Sequence, residues 1–170
     1  MQKLLLFNLV LITINAVSQD KIESTNQISV EGKVKHKISY SLRDLSAFKT
    51  IHIDSIVIYS HLMEPRKTIR HIKGVLLKHI IDKAVIDSES PKVLSEFYIS
   101  CIASDNYKVV LSWNELYNSI IGESILIITE ADGKKAEQLT DRMAMLSAAD
   151  RATGRRYVKG LKKIVIERVK

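Results

Sequence analysis

The chain has 170 residues, enough for one domain with a substantial core. Hydrophobic residues make up 46% and charged residues 26%, a globular balance that excludes a disordered chain. The formal net charge of +7 favours anionic partners, but scattered basic residues, 6% aromatics and no nucleic-acid motif remove nucleic acid from the expected ones.

Met1-Gln2-Lys3 is a short positive segment, and Leu4 to Ile14 is an apolar run broken by Asn8 and Thr13. Ala16-Val17-Ser18 supplies the small residues read by a signal peptidase, so residues 1–18 are expected to be a signal peptide. The apolar run is short for a membrane span, and no span is expected once it is removed. Without an arginine pair the signal is of the Sec type, which places the protein in the periplasm or outside the cell. Residues 19–27 read as a polar N-terminal tail, and residues 28–170 as a single domain.

From Ile28 the pattern is regular. Ile28 to Val34 reads as a strand with a bulge or close approach at Gly32. Ile38 to Tyr40 alternates and leads into Ser41-Leu42-Arg43-Asp44-Leu45, where Ser41 caps a short helix and Asp44 returns the bond. Ile51 to Tyr59 alternates strongly and is a strand. Residues 60–73, polar and basic with Pro65, read as a loop. Gly74 then opens a helix over Val75 to Ala84, whose Leu76, Leu77, Ile80, Ile81 and Ala84 share a face.

Ser88 to Pro91 is a turn. Glu96 to Ala103 and Lys108 to Trp113 are strands joined through Ser104-Asp105-Asn106-Tyr107. Asn114-Glu115-Leu116 starts a short helix, Ile125 to Thr129 is a buried strand, and Ala131-Asp132-Gly133-Lys134 is a tight turn. Residues 136–148 fit a helix by propensity, or a short strand over Met143 to Leu146. Leu161 to Val169 is the final strand. Many short strands and few short helices indicate an α+β or mostly β domain, with a mixed-sheet, barrel-like core expected.

Chemical motifs are few. One cysteine and five dispersed histidines make no zinc site, and no metal is expected. Cys101 lies in an alternating strand and is expected to act as a small buried hydrophobe. There is no nucleophile elbow, phosphate-binding loop or dinucleotide fingerprint. Asp105 and Glu115 read as turn and capping residues. His61 follows a strand end, where working groups are commonly exposed. Asp150 to Gly160 gathers Arg151, Arg155, Arg156 and Lys159 with Gly154 and Gly160 before the last strand. Glycine-rich backbone and arginine forks suit oxyanions, so an anion pocket is expected there, with a solvated basic turn as the plain alternative.

The order of segments resembles the oxidoreductase molybdopterin-binding domain family, the central fold of sulfite oxidases. The resemblance rests on Ile28 to Val34 with Tyr40 to Leu45, on Ile72-Lys73-Gly74-Val75-Leu76-Leu77, and on Ala103 to Leu116. Asp132-Gly133-Lys134 and Gly154 to Leu161 complete it, over roughly residues 28–169. It implies that Arg155, Arg156 and Lys159 face the phosphate and pterin of a molybdenum cofactor. It also implies a metal-ligating cysteine after the strand at Ile51–Tyr59, where this chain reads Tyr59-Ser60-His61-Leu62. A serine hydroxyl is a poor ligand for a soft, thiolate-bound metal.

The reading is therefore an exported, non-catalytic domain with no expected cofactor; molybdopterin enters by family resemblance only. Arg155, Arg156 and Lys159, with His61 and Tyr107, are the candidate residues for holding an anionic small molecule or an acidic protein surface. A pterin-dependent oxidoreductase with non-cysteine ligation, and a structural or interaction domain without a small ligand, are the alternatives.

Overall fold

In the computed structural model, which describes residues 21–169, alternating apolar residues build two sheets that share one core. The signal peptide expected at residues 1–18 lies outside the described residues. One sheet contains β1 (Gln27–Gly32), β2 (Ile38–Ser41), β5 (Phe97–Ala103), β6 (Lys108–Ser112) and β11 (Leu161–Arg168) in the order β2-β1-β11-β5-β6. The other contains β3 (Thr50–Tyr59), β4 (Pro65–Leu76), β7 (Ile125–Ala131), β9 (Ala144–Ser147) and β10 (Val158–Lys159) in the order β10-β9-β7-β4-β3. A short β8 (Lys134–Lys135) returns along β7 through the two-residue turn Asp132–Gly133. The β1–β11 pair is parallel and the other ladders are antiparallel, so the first sheet is mixed as expected.

The barrel-like closure does not occur. These are two separate sheets, each ending in edge strands: β2 and β6 on one, β10 and β3 on the other.

Alternation explains the burial. Ile28, Val30, Ile99, Cys101, Leu111, Ile164 and Ile166 point from the first sheet into the space between sheets, where Val75, Ile125, Ile127 and Met145 meet them. Each such side chain, fully buried, is worth about 1.5–3 kcal/mol. The intervening residues of the second sheet, Ile72, Leu76, Leu126, Ile128, Ala144 and Leu146, form another cluster on its opposite face. Both faces of that sheet are thus apolar.

The segment read as a loop, residues 60–73, is the largest correction. Only Ser60–Glu64 turn; Pro65 begins β4, which runs twelve residues beside β3. Its first part is exposed and charged, and cross-strand pairing rather than an apolar stripe makes it a strand. The helix expected over Val75–Ala84 shortens to α2 (Leu77–Asp82), because Gly74, Val75 and Leu76 still pair with β7. What read as one helical face is a strand end followed by a helix.

The β3–β4 pair has a phase slip. Ile51 and Ile53, then Ile56 and Ile58, contact the same cluster, although alternation would send the second pair to the other face. On β4 the same holds for Ile72 and Ile69. The pairing stays in register, Ile53 with Ile72 and Ser55 with Arg70, while His71 adopts φ of 49° at that level. Asp54 and Ser55 are both exposed, as are Arg70 and His71. A backbone bond from Asp132 N to Arg70 O (2.7 Å), and one from Arg70 N to the Asp132 carboxylate oxygen Oδ1 (2.7 Å), hold the slip from the side.

Smaller elements follow local chemistry. Ser41 caps α1 (Leu42–Leu45): Asp44 N donates to Ser41 Oγ at 3.3 Å and Ser41 N to Asp44 Oδ2 at 2.8 Å. The same exchange between Ser112 and Glu115 starts α3 (Trp113–Tyr117). Gly32 ends β1 at φ of 95°, where a Cβ would meet Ile166 O, so the expected close approach is present. Within the segment read as an N-terminal tail, Thr25 lies against the body: it bridges Arg142, and its hydroxyl donates to Leu161 O at 2.8 Å. Among the described residues no helix is long and apolar enough to cross a membrane.

Candidate functional site

The basic segment before β11 is anchored by two small residues. Thr153, 3% exposed, accepts from Tyr59 N at 2.8 Å and donates its hydroxyl to Val57 O at 2.7 Å. This satisfies both backbone groups at the end of an edge strand, where no further strand offers partners. Gly154 lies so close that a Cβ there would stand 2.6 Å from Tyr59 O. A 3-10 turn over Thr153–Arg156 follows, and Tyr107 donates its hydroxyl to Arg155 O at 2.5 Å. The loop is therefore fixed to the end of β3 on one side and to the β5–β6 connection on the other.

Between them lies an open hollow of about 390 Å³ lined by Ile58, Tyr59, Ser60, His61, Arg66, Tyr107, Gly154 and Arg155. Three sequence-predicted residues, His61, Tyr107 and Arg155, thus share one place. The Ser60–Glu64 turn that presents His61 is itself held, because Ser60 Oγ accepts from Leu62 N (3.2 Å) and Glu64 N (3.3 Å). The side chains of His61 and Arg155 have no ion-pair or hydrogen-bond partner among the described residues. Arg66 pairs with Glu64 at 2.9 Å, with both side chains well exposed.

Arg156 and Lys159 lie elsewhere. The Arg156 guanidinium grips Asp150 with Nε and Nη2, at 2.6 and 2.5 Å, and reaches Glu115 Oε1 with Nη1 at 3.0 Å. Hydrogen bonding to Asp150, opposed by partial burial and reinforced by Glu115, raises its already high pKa. Burial would raise the Glu115 carboxyl, but hydrogen bonds from Ser112 and Arg156 outweigh it and hold the group below its usual value. Arg156 therefore ties the loop to the α3 cap. Lys159 stands 3.8 Å from Asp141 and 5.6 Å from the Tyr157 ring centroid, which Lys67 also approaches at 5.3 Å. Burial first, then Asp141 and Asp132, pushes the Tyr157 phenol up to about 12.

Sequence reasoning missed Arg66, which stood in a segment taken for a loop; it placed Thr153 and Gly154 in the basic loop but could not show that they anchor it to β3. A larger hollow of about 550 Å³ beside α1 carries Arg43 and Lys135 but also Glu130 and Glu137, so opposite charges share it. The β3-end hollow has a cationic lining without a carboxylate. Cys101 is buried between the sheets, and burial pushes its thiol up to about 12. It behaves as the small hydrophobe expected. Among the described residues no cluster of histidine, cysteine and carboxylate side chains is arranged to hold a metal ion.

The fold is similar to the crystal structure of the sulfane dehydrogenase SoxCD from Paracoccus pantotrophus, with a TM-score of 0.59 and 11% sequence identity. The match covers 90% of this chain and 39% of that one, so this chain spans well under half of its neighbour's length. At that identity the likeness is one of fold, and it agrees at that level with the sulfite-oxidase-like order of segments in the sequence. No protein-family model matches the chain, and no curated protein matches it by sequence.

Proposed function

We propose that this chain is an exported, non-catalytic anion-binding domain built on a sulfite-oxidase-like fold. The observation that carries the reading is Arg155: an unpartnered guanidinium on a loop fixed by Thr153, Gly154 and Tyr107, facing a hollow shared with His61 and Arg66. An arginine fork on a fixed backbone, beside a second arginine and a histidine, suits a tetrahedral or planar oxyanion. Arg156 supports the site from outside it, by tying the loop to the α3 cap, and Lys159 lies apart from it on β10. Export rests on the Met1–Ser18 segment.

Molybdopterin does not fit the residues present. The segment that the resemblance sets against the metal-ligating thiolate, Tyr59-Ser60-His61-Leu62, has no cysteine, and the Ser60 hydroxyl oxygen accepts from two turn amides. The chain's cysteine thiol is enclosed in the core on β5.

Titration of the full chain with inorganic phosphate, followed by calorimetry and by amide NMR shifts, tests the reading. Shifts are expected at His61, Tyr107 and Arg155, with affinity falling about tenfold or more in Arg155→Glu, as expected when a charge-assisted contact is reversed. Phosphate binding that survives this reversal unchanged defeats the proposal. Stoichiometric molybdenum in protein purified from its own periplasm does so as well.

A further inference from the structure

We infer that the hollow and the hairpin tip beside it form one docking surface for a partner protein, taking an acidic segment that carries a large apolar side chain. The inference rests on the anion-binding reading and names its occupant. The tip places Leu62 and Met63, 64% and 52% exposed, directly after His61 and just before Arg66. Tyr107, 44% exposed, adds an aromatic ring beside Arg155.

The tip is a closed turn that presents its apolar pair outward. Its backbone is closed by Ser60 N to Glu64 O (2.9 Å) and Met63 N to Ser60 O (3.0 Å), so the apolar pair is held in one shape. Met63 also occupies the left-handed region at φ of 60°, where turns normally place glycine or asparagine. A bulky thioether there is held at a conformational cost while facing water. A small inorganic anion makes no use of either side chain.

The composition selects the partner class. The hollow and tip combine Tyr59, Tyr107, Arg66, Arg155, Leu62 and Met63, and the hollow's lining has no lysine although the chain is rich in it. Tyrosine, arginine and methionine are enriched at protein interfaces and lysine is depleted, whereas anionic membrane surfaces are met by lysine- and arginine-rich clusters. Glu64, the carboxylate of the tip, is taken up by Arg66. The unpaired charge is therefore positive, and its complement is a partner carboxylate at Arg155 and His61 with an apolar residue against Leu62, Met63 and Tyr107.

Selection of a random-peptide phage library on the full chain tests this, followed by calorimetry with a selected peptide, inorganic phosphate and phosphatidylglycerol vesicles. The expected peptides carry Asp or Glu flanking Leu, Phe or Trp. The double variant Leu62→Ser, Met63→Ser should weaken the peptide about tenfold, as for partial burial of two apolar side chains, and leave phosphate affinity unchanged. Arg155→Glu should weaken both ligands. Peptides without acidic residues, or a tip variant that binds peptide as wild type, overturn the docking inference while phosphate binding keeps the anion site. A wild-type chain that binds neither phosphate nor peptide overturns the anion reading itself. Vesicle binding that depends on the tip and displaces the peptide assigns the surface to a membrane and overturns the inference.

Discussion

Thr153→Val isolates what holds the candidate site together. Valine keeps the shape of threonine but replaces the hydroxyl by a methyl, so packing is retained while two hydrogen bonds vanish. Tyr59 N–H and Val57 C=O then lose their partner beside a side chain only 3% exposed. A buried polar group left unpaired costs about 1–3 kcal/mol. Both backbone groups belong to half-buried residues at a sheet edge, where water reaches part of the way, so the total is about 3 kcal/mol. For a domain of this size that lowers Tm by roughly 6–12 °C. Thr153→Ser keeps the hydroxyl and loses only a methyl, costing about 1 kcal/mol. Urea unfolding followed by Trp113 fluorescence measures both variants. The valine variant should be the less stable, and its phosphate affinity should fall because Arg155 loses its position. A valine variant as stable as wild type, or more stable than the serine one, refutes the argument that the hydroxyl anchors the loop.

Neighbouring arginines should behave oppositely. Arg156→Met, which strands Asp150 (10% exposed) and Glu115, should cost about 2–4 kcal/mol, whereas Arg155→Ala should stay within about 0.5 kcal/mol in the same unfolding assay. The Glu115, Glu130 and Glu89 carboxyls are held below their usual values, so their contribution is present above the unfolded carboxyl range and is lost as pH falls through the lower folded values. Thermal unfolding from neutral pH to about pH 3 should therefore show stability falling on the acid side, and a flat profile would contradict these assignments. Cys101 should resist a thiol reagent in the native protein and react fully in urea; prompt labelling of the native chain would show that the core opens readily.

Local signals carried much of the fold. Alternation over Ile51–Tyr59 marks β3, the serine–acid spacing marks the start of α1, and Ala131 to Lys134 marks the β7–β8 turn. Met143 to Leu146, open between helix and strand, corresponds to β9. The failure at residues 60–84 has one physical cause. β3 stays readable across its slip because two isoleucines stand on each side of it, whereas in β4 the slip at His71 falls among charged residues and the alternation is lost. A strand with charged outer residues, a slip and a following short helix then imitates a loop and a long helix. The site shows the same limit. Sequence brings Arg155, Arg156 and Lys159 together as cations, but which of them is neutralised depends on partners set by tertiary structure. Arg156 meets Glu115, 41 residues away, through the α3 cap, and Lys159 faces Asp141 across the sheet edge. Arg155 is distinguished by what surrounds it, and no local pattern records that.

The phase slip in β3 and β4 has a further consequence. β3 is a ten-residue strand on the outside of its sheet, and a straight edge of that length is a template on which another chain can extend the sheet. At Asp54 the facing direction reverses and a charge projects beside Ser55. Any strand approaching from outside meets two short runs out of phase with one another rather than one continuous rail. The device that keeps both halves of the hairpin on the apolar cluster thus also guards the protein against edge-to-edge aggregation.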